Sequence, residues 1–293
     1  MQYFKALRTQ AWFARTGFAI SLILGFSLVT FGCDTGKLFS GELASSKSRQ
    51  SVNKEVLATV YSYNANGELL SYRELEYDSN GSPAKFPTKF KDYTANGELS
   101  GYTTAEYDSN GNQINWRKYN ASGGLLAYSE YEYDSKGRLT KWSDYNSNGE
   151  LIYYVELELD SEGNETKVNW YDNAAELSSY MEKEYDTKGN LTKWSDYNAN
   201  GKLLSYSEYE YDSNGNMAVI IVYDANGEWE VNAKYEYDSN GNHTKTIEYD
   251  ANGKLNYKSD KEYDSNGNLT KEIKYNVENG EVDSYTVWLY KKR

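Results

Sequence analysis

Glycine recurs along this chain at intervals that alternate between 14 and 12 residues, and few folds can be written on that beat. Beyond residue 54 the glycines of this series fall at 67, 81, 97, 111, 123, 137, 149 and 163, then at 189, 201, 215, 227, 241, 253 and 267. One 16-residue interval follows Gly81, and Ala175 in YDNAAE stands where the missing member belongs. The unit is therefore about 26 residues long and contains two turns.

Two phrases alternate at these turns, YDSNG and YNANG. Each places a short polar residue, able to cap its own backbone, ahead of Asn and a Gly that can take positive φ, as a type I turn with a bulge requires. Gly81, Gly111, Gly137, Gly163, Gly189, Gly215, Gly241 and Gly267 are the expected corners of the YD-type turns. Between corners lie runs such as LLSYSEYEY (Leu203 to Tyr211) and NLTKWSDY (Asn190 to Tyr197), whose period of two and wealth of Tyr, Trp, Thr and Leu mark strands. The expected fold is all-β: about eighteen strands in an antiparallel meander, forming an elongated, twisted sheet that can curl into a half-shell. Lys291, Lys292 and Arg293 would protect its last edge.

A three-residue loop such as Ser213-Asn214-Gly215 sets Tyr211 opposite Met217, and the same rule sets Tyr197 opposite Leu203. Extended along the strands, it predicts one Tyr/Leu face carrying Leu191, Tyr197, Leu203, Tyr209 and Tyr211. Glu208, Glu210, Thr192, Trp194 and Asp196 fall on the other, acid-rich face. It also predicts cross-strand pairs Trp116/Tyr128, Trp142/Tyr154, Trp194/Tyr206 and Phe90/Tyr102 on the acidic face. Such pairs stabilise a thin sheet, or else form a platform on which a sugar ring or a protein partner stacks beside carboxylates. Trp116, Tyr128, Trp142, Tyr154, Trp194 and Tyr206 are thus the candidate ligand-binding residues.

Composition limits the chemistry. The chain has 31 Tyr and 7 Trp but only 1 Cys and 1 His. His243 takes a strand slot filled by Leu191 and Leu269 in sister units, so no nucleophile with a histidine base, no metal site and no cofactor is expected. The carboxylate pairs Glu130/Glu132, Glu156/Glu158, Glu182/Glu184 and Glu208/Glu210 repeat too uniformly for a single hydrolytic centre and read as a solvated stripe. In YDSNGN, Gly215 comes fourth from Asp212, whereas a helix-flanked calcium loop needs it sixth. Turn chemistry explains the phrase without an ion.

The first 33 residues lack acids and carry Lys5, Arg8 and Arg15 before an apolar run from about Gly17 to Phe31, the pattern of an export signal. LVTFGC resembles a lipobox, with Cys33 as the lipidated residue. The expected organisation is a signal peptide at 1–32, the lipidated Cys33 and a polar tether at 33–54, and a repeat domain at 55–293, held to a membrane of the bacterial cell envelope. Losing the signal takes the formal charge from −13 to −16. Nucleic acid is thereby a poor partner. Charges on both faces of the strands argue against a lipid-facing band.

YDSKGRLT at Tyr133, YDTKGNLT at Tyr185 and YDSNGNLT at Tyr263 resemble the YD repeat of the Rhs family. That resemblance implies curling β-sheet, and larger members of the family enclose a toxin or act in cell-surface contact and carbohydrate recognition. This chain adds a second, YNANG-type turn to each unit and has Pro only at 83 and 87. What the resemblance implies here is a non-enzymatic β-repeat scaffold for binding, the alternative being a structural or antigenic surface protein without a specific ligand.

Overall fold

The computed structural model describes residues 55–77 and 86–292. Cys33, Gly81, the signal and the tether lie outside the described residues. The strands are β1 (Glu55–Asn64), β2 (Leu69–Glu76), β3 (Lys89–Thr94), β4 (Leu99–Tyr107), β5 (Gln113–Asn120) and β6 (Leu125–Tyr133). Next come β7 (Leu139–Asn146), β8 (Leu151–Leu159), β9 (Glu165–Asp172), β10 (Leu177–Tyr185), β11 (Leu191–Asn198) and β12 (Leu203–Tyr211). The last six are β13 (Met217–Asp224), β14 (Trp229–Tyr237), β15 (His243–Asp250), β16 (Leu255–Tyr263), β17 (Leu269–Tyr275) and β18 (Val282–Lys292).

Every strand pairs antiparallel with its neighbours in sequence, as the repeat predicts, but the sheet is not open. β1 pairs with β18 from Glu55↔Lys292 to Asn64↔Ser284, which closes the meander into a barrel. Lys291 and Lys292 accordingly sit in a paired strand and guard no edge. The half-shell expectation fails because twist and stagger accumulate around the array. Tyr72 faces Tyr93, yet Tyr102 faces Lys91, two residues back. Tyr102 then faces Tyr119, and Tyr128 faces Arg117, a second two-residue step. One such step per hairpin over nine hairpins gives a stagger of about 18 residues, a strand tilt of about 36° and a round section of about 17 Å radius.

One face of the wall is turned inward. It holds Val155, Leu157, Leu75 and Ala233, all buried, whereas Glu130, Glu158 and Glu210 on the other face are exposed. The apolar residues form three separate patches. These gather around Leu57, Val60 and Leu75, around Leu139, Val155, Leu157 and Val168, and around Met217, Ile220, Val222, Val231 and Ala233. Each patch spans only neighbouring strands, and among the described residues strands that are not paired in the sheet do not approach within 8 Å between Cα atoms. Inward side chains therefore line a wall, and an 18-stranded barrel leaves a central space.

Candidate functional site

The repeated corner is a self-contained hydrogen-bonded joint. Asp212 accepts from the amides of Asn214 and Asn216 at 2.8 Å through Oδ1, and from Asn216 Nδ2 at 3.0 Å through Oδ2. Gly215 takes φ of 85°, and its amide donates to the Asp212 carbonyl at 3.0 Å. Gly111, Gly137, Gly163, Gly189, Gly241 and Gly267 repeat this positive φ. Both carboxylate oxygens are engaged by the turn's own donors. Burial raises the Asp212 pKa, and the hydrogen bonds from Asn216, Asn214 and Gly215 outweigh it, so the group lies below its ordinary value.

The tyrosine of each YD phrase completes the joint. Tyr211 donates its hydroxyl to the Leu191 carbonyl at 2.9 Å, Tyr185 to Glu165 at 2.8 Å, and Tyr237 to Met217 at 2.8 Å. Each hydroxyl reaches the first residue of the preceding strand, beyond the end of the backbone ladder. β11 and β12, for example, are paired only as far as Lys193↔Glu208.

The proposed aromatic pairs do not form. Tyr211 faces Met217 and Tyr197 faces Leu203 as expected, but the register then steps past Ala218 and Leu204. One extra residue at each corner shifts every downstream pair by one position, which exchanges the faces. Trp142 therefore pairs with Val155, Trp116 with Ser129, Trp194 with Ser207 and Phe90 with Thr103. Tyr128, Tyr154, Tyr206 and Tyr102 instead face Arg117, Ser143, Ser195 and Lys91. The tryptophans look inward and these tyrosines outward. Asp196 also turns inward with Trp194, while Tyr197 turns outward.

Inside the wall, Trp142 meets Trp170 edge-on with ring centroids 5.6 Å apart. Trp194 donates Nε1–H to Asp196 at 3.2 Å and lies under the Lys183 ammonium at 4.6 Å. Burial pushes the Asp196 carboxyl up to about 6, against hydrogen bonds from Ser205 and Trp194. Lys183 also forms a buried ion pair with Glu165 at 2.5 Å. Three units on, the same two slots hold His243 and Lys261. His243 Nδ1 lies 3.2 Å from Lys261 Nζ, and Nε2 lies 2.9 Å from the Lys245 carbonyl. Burial, then the Lys261 charge, lowers the His243 pKa to about 4, so the ring is neutral at pH 7.

Outside, two bands circle the wall. Along one half, acids on even strands alternate with bases on odd strands: Glu132, Lys141 and Glu156 share a row, as do Glu158, Lys167 and Glu182, and Glu184, Lys193 and Glu208. The carboxylate pairs of the sequence lie in this band. Along the other half runs a girdle of stacked tyrosines: Tyr102–Tyr119 at 4.7 Å, Tyr128–Tyr145 at 4.7 Å, Tyr154–Tyr171 at 4.6 Å, Tyr180–Tyr197 at 4.8 Å and Tyr206–Tyr223 at 4.7 Å. Lysines lie over several of these rings, Lys141 over Tyr154 at 4.4 Å among them. The girdle partners Tyr119, Tyr145, Tyr171, Tyr197 and Tyr223 escaped the sequence-based pairing. Their constant distance from the YNANG corner was the signal that could have found them.

No family model and no curated protein matches the chain. Among solved structures it is similar to a porin-like protein from Bacteroides uniformis, at 12% identity and a TM-score of 0.45 over 80% of this chain and 96% of that one. It is also similar to the TcdB2-TccC3 protein without its hypervariable C-terminal region, at 14% identity and a TM-score of 0.29 over 75% of this chain and 15% of that one. A putative exported protein with a YmcC-like fold from Bacteroides fragilis aligns at 12% identity and a TM-score of 0.23, over 82% of this chain and 96% of that one. The class that the strand pairing defines is a closed, antiparallel, eighteen-stranded barrel.

Proposed function

We propose that this chain is a non-enzymatic binding protein of the bacterial envelope: a barrel that stands in water, held to a membrane through a lipid on Cys33, and that meets a carbohydrate or protein partner with its outer face. The observation that carries this reading is the ring of alternating acids and bases around half the outer wall. A lipid-facing barrel needs an apolar band about 25 Å tall. Nine tilted residues rise only about 24 Å, and here two rows of that height carry Glu, Lys or Arg, including the ion pairs Arg117–Glu106 at 2.6 Å and Lys245–Glu236 at 2.9 Å.

The repeated carboxylates support a non-catalytic role, since Glu132, Glu156, Glu158, Glu182, Glu184 and Glu208 each face a lysine of a neighbouring strand and not one another. Closure supports specific binding over a coat of freely variable length, because changing the number of units changes the circumference. The test is fractionation of the full chain expressed in a bacterium. The wild type should sediment with membranes, and a chain in which residues 1–33 are replaced by an ordinary, non-lipoprotein cleavable secretory signal should leave the folded barrel soluble without detergent. A barrel released from that signal that still stays in the bilayer and needs detergent for extraction would overturn the reading.

A further inference from the structure

The tyrosine girdle is interrupted in one place, where neither a ring nor a cation covers the tyrosine. Six even-strand tyrosines, from Tyr72 to Tyr206, each stack on an odd-strand partner, and Tyr285 does the same for Tyr63. In β16 the slot holds Lys258, whose ammonium lies 4.2 Å from the centre of the Tyr275 ring. In β14 it holds Asn232, which faces Tyr249 and is too short to cover it. Among the described residues, Tyr249 is the girdle tyrosine with no aromatic or cationic partner.

Other substitutions fall on the same strand and on its neighbour β13, where Trp229 faces Tyr223. Sister strand β12 begins Leu203-Leu204, but β14 begins Trp229-Glu230, and Trp229 is 39% exposed beside the exposed Glu230. The odd-strand lysine slot of Lys141, Lys167 and Lys193 is Val219 in β13, so the ammonium is missing as well as the ring. Asn232 Oδ1 is a buried acceptor without a hydrogen-bond donor. A half-buried tyrosine without an aromatic or cationic partner thus lies across from β14, the strand that also carries an exposed indole, an exposed carboxylate and the orphaned amide oxygen.

We propose that this notch binds a guanidinium group, presented by an arginine of a partner protein. The chain itself supplies the template, because elsewhere it covers these tyrosines with either a flat ring or a cation. A guanidinium is both: it stacks on an aromatic face and carries N–H donors for the exposed Glu230 carboxylate. The formal charge of −13 draws such a group in. The site spans only a few residues, which suits one anchoring side chain within a larger contact. The proposal rests on the reading of the outer face as the recognition surface and deepens it.

Binding of the tripeptides Gly-Arg-Gly, Gly-Lys-Gly and Gly-Gly-Gly to the detergent-solubilised full chain, followed by saturation-transfer NMR and Trp fluorescence, tests it. Gly-Arg-Gly should bind at least about 5-fold more tightly than Gly-Gly-Gly. Asn232→Tyr, which rebuilds the stacked pair, and Glu230→Leu, which restores the sister residue, should each weaken it about 10-fold while thermal unfolding stays cooperative. Equal binding of Gly-Lys-Gly would overturn the guanidinium assignment in favour of a general cation site. Equal binding of Gly-Gly-Gly, or full binding by Asn232→Tyr, would overturn the site altogether. Neither result touches the membrane-fractionation test, so the two readings fail separately.

Discussion

The Tyr211 hydroxyl is bonded to the Leu191 carbonyl at 2.9 Å, tying the last residue of β12 to the first residue of β11 where no backbone donor reaches. The contact repeats at Tyr133, Tyr185, Tyr237 and Tyr263, on the carbonyls of Gln113, Glu165, Met217 and His243. Tyr211→Phe keeps the ring and removes only the donor. It should cost about 1 kcal/mol. Chemical denaturation checks this, and Tyr211→Phe with Tyr263→Phe, four strands apart, should add.

The turn aspartates set the acid limit of the fold. Asp186 is held below the ordinary 3.8 by the Asn190 side chain and then by backbone amides, as is Asp160 by Asn164; Asp134 is lowered first by the Arg138 amide, and at Asp108, Asp212, Asp238 and Asp264 burial pushes up but the hydrogen bonds of the turn outweigh it. A depressed carboxyl contributes stability that is complete above its unfolded pKa and is lost as pH falls through its folded one. Unfolding midpoints should therefore be level from pH 5 to 7 with respect to these groups and fall steeply below about 3.8. Asp186→Asn should flatten part of that fall.

Asp196 works with the opposite sign. Its pKa is raised to about 6 by burial, so its charged form is penalised and stability is lost as pH rises from 3.8 towards 6. Asp196→Asn, which keeps a polar group for Ser205, should stabilise the barrel at pH 7 by roughly 2 kcal/mol and have little effect at pH 3.5. Thermal melts at the two pH values separate these outcomes.

Ala175 is the non-glycine residue at positive φ, 61°, among the described residues, in the corner where every sister unit has Gly. Its amide still donates to the Asp172 carbonyl at 3.1 Å, so the turn is formed at a conformational cost. Ala175→Gly should raise stability by about 1 kcal/mol. The reverse change, Gly215→Ala, should lower it by a similar amount.

The corners and the order of strands were legible because Asp, Asn and Gly have few other reasons to recur on a fixed beat. The pairs nearest each corner, Tyr211/Met217 and Tyr197/Leu203, were legible for the same reason. The faces beyond them were not, since the extra residue of each bulge looks like any strand residue. Thr140 and Thr192 alternate correctly on paper, and only in three dimensions does the hydroxyl of each find the carbonyl of Glu132 or Glu184. Closure was illegible because it is a sum over the whole array: no single hairpin reveals that the two-residue steps bring β18 back to β1. The notch at Asn232 shows in the sequence as a broken Tyr column, but only once the correct register is known.

Closure of β1 onto β18 is the central claim, and a cross-link reads it most directly. Ser62 and Thr286 face each other across that seam. In a Cys33→Ser background, Ser62→Cys with Thr286→Cys should form an intramolecular disulfide under mild oxidation, since facing residues of paired strands lie within its reach. Ser62→Cys with Ser195→Cys, which places the second thiol on β11, should not. Failure of the seam pair to cross-link within one folded chain, with the two thiols freely reactive, would contradict the barrel.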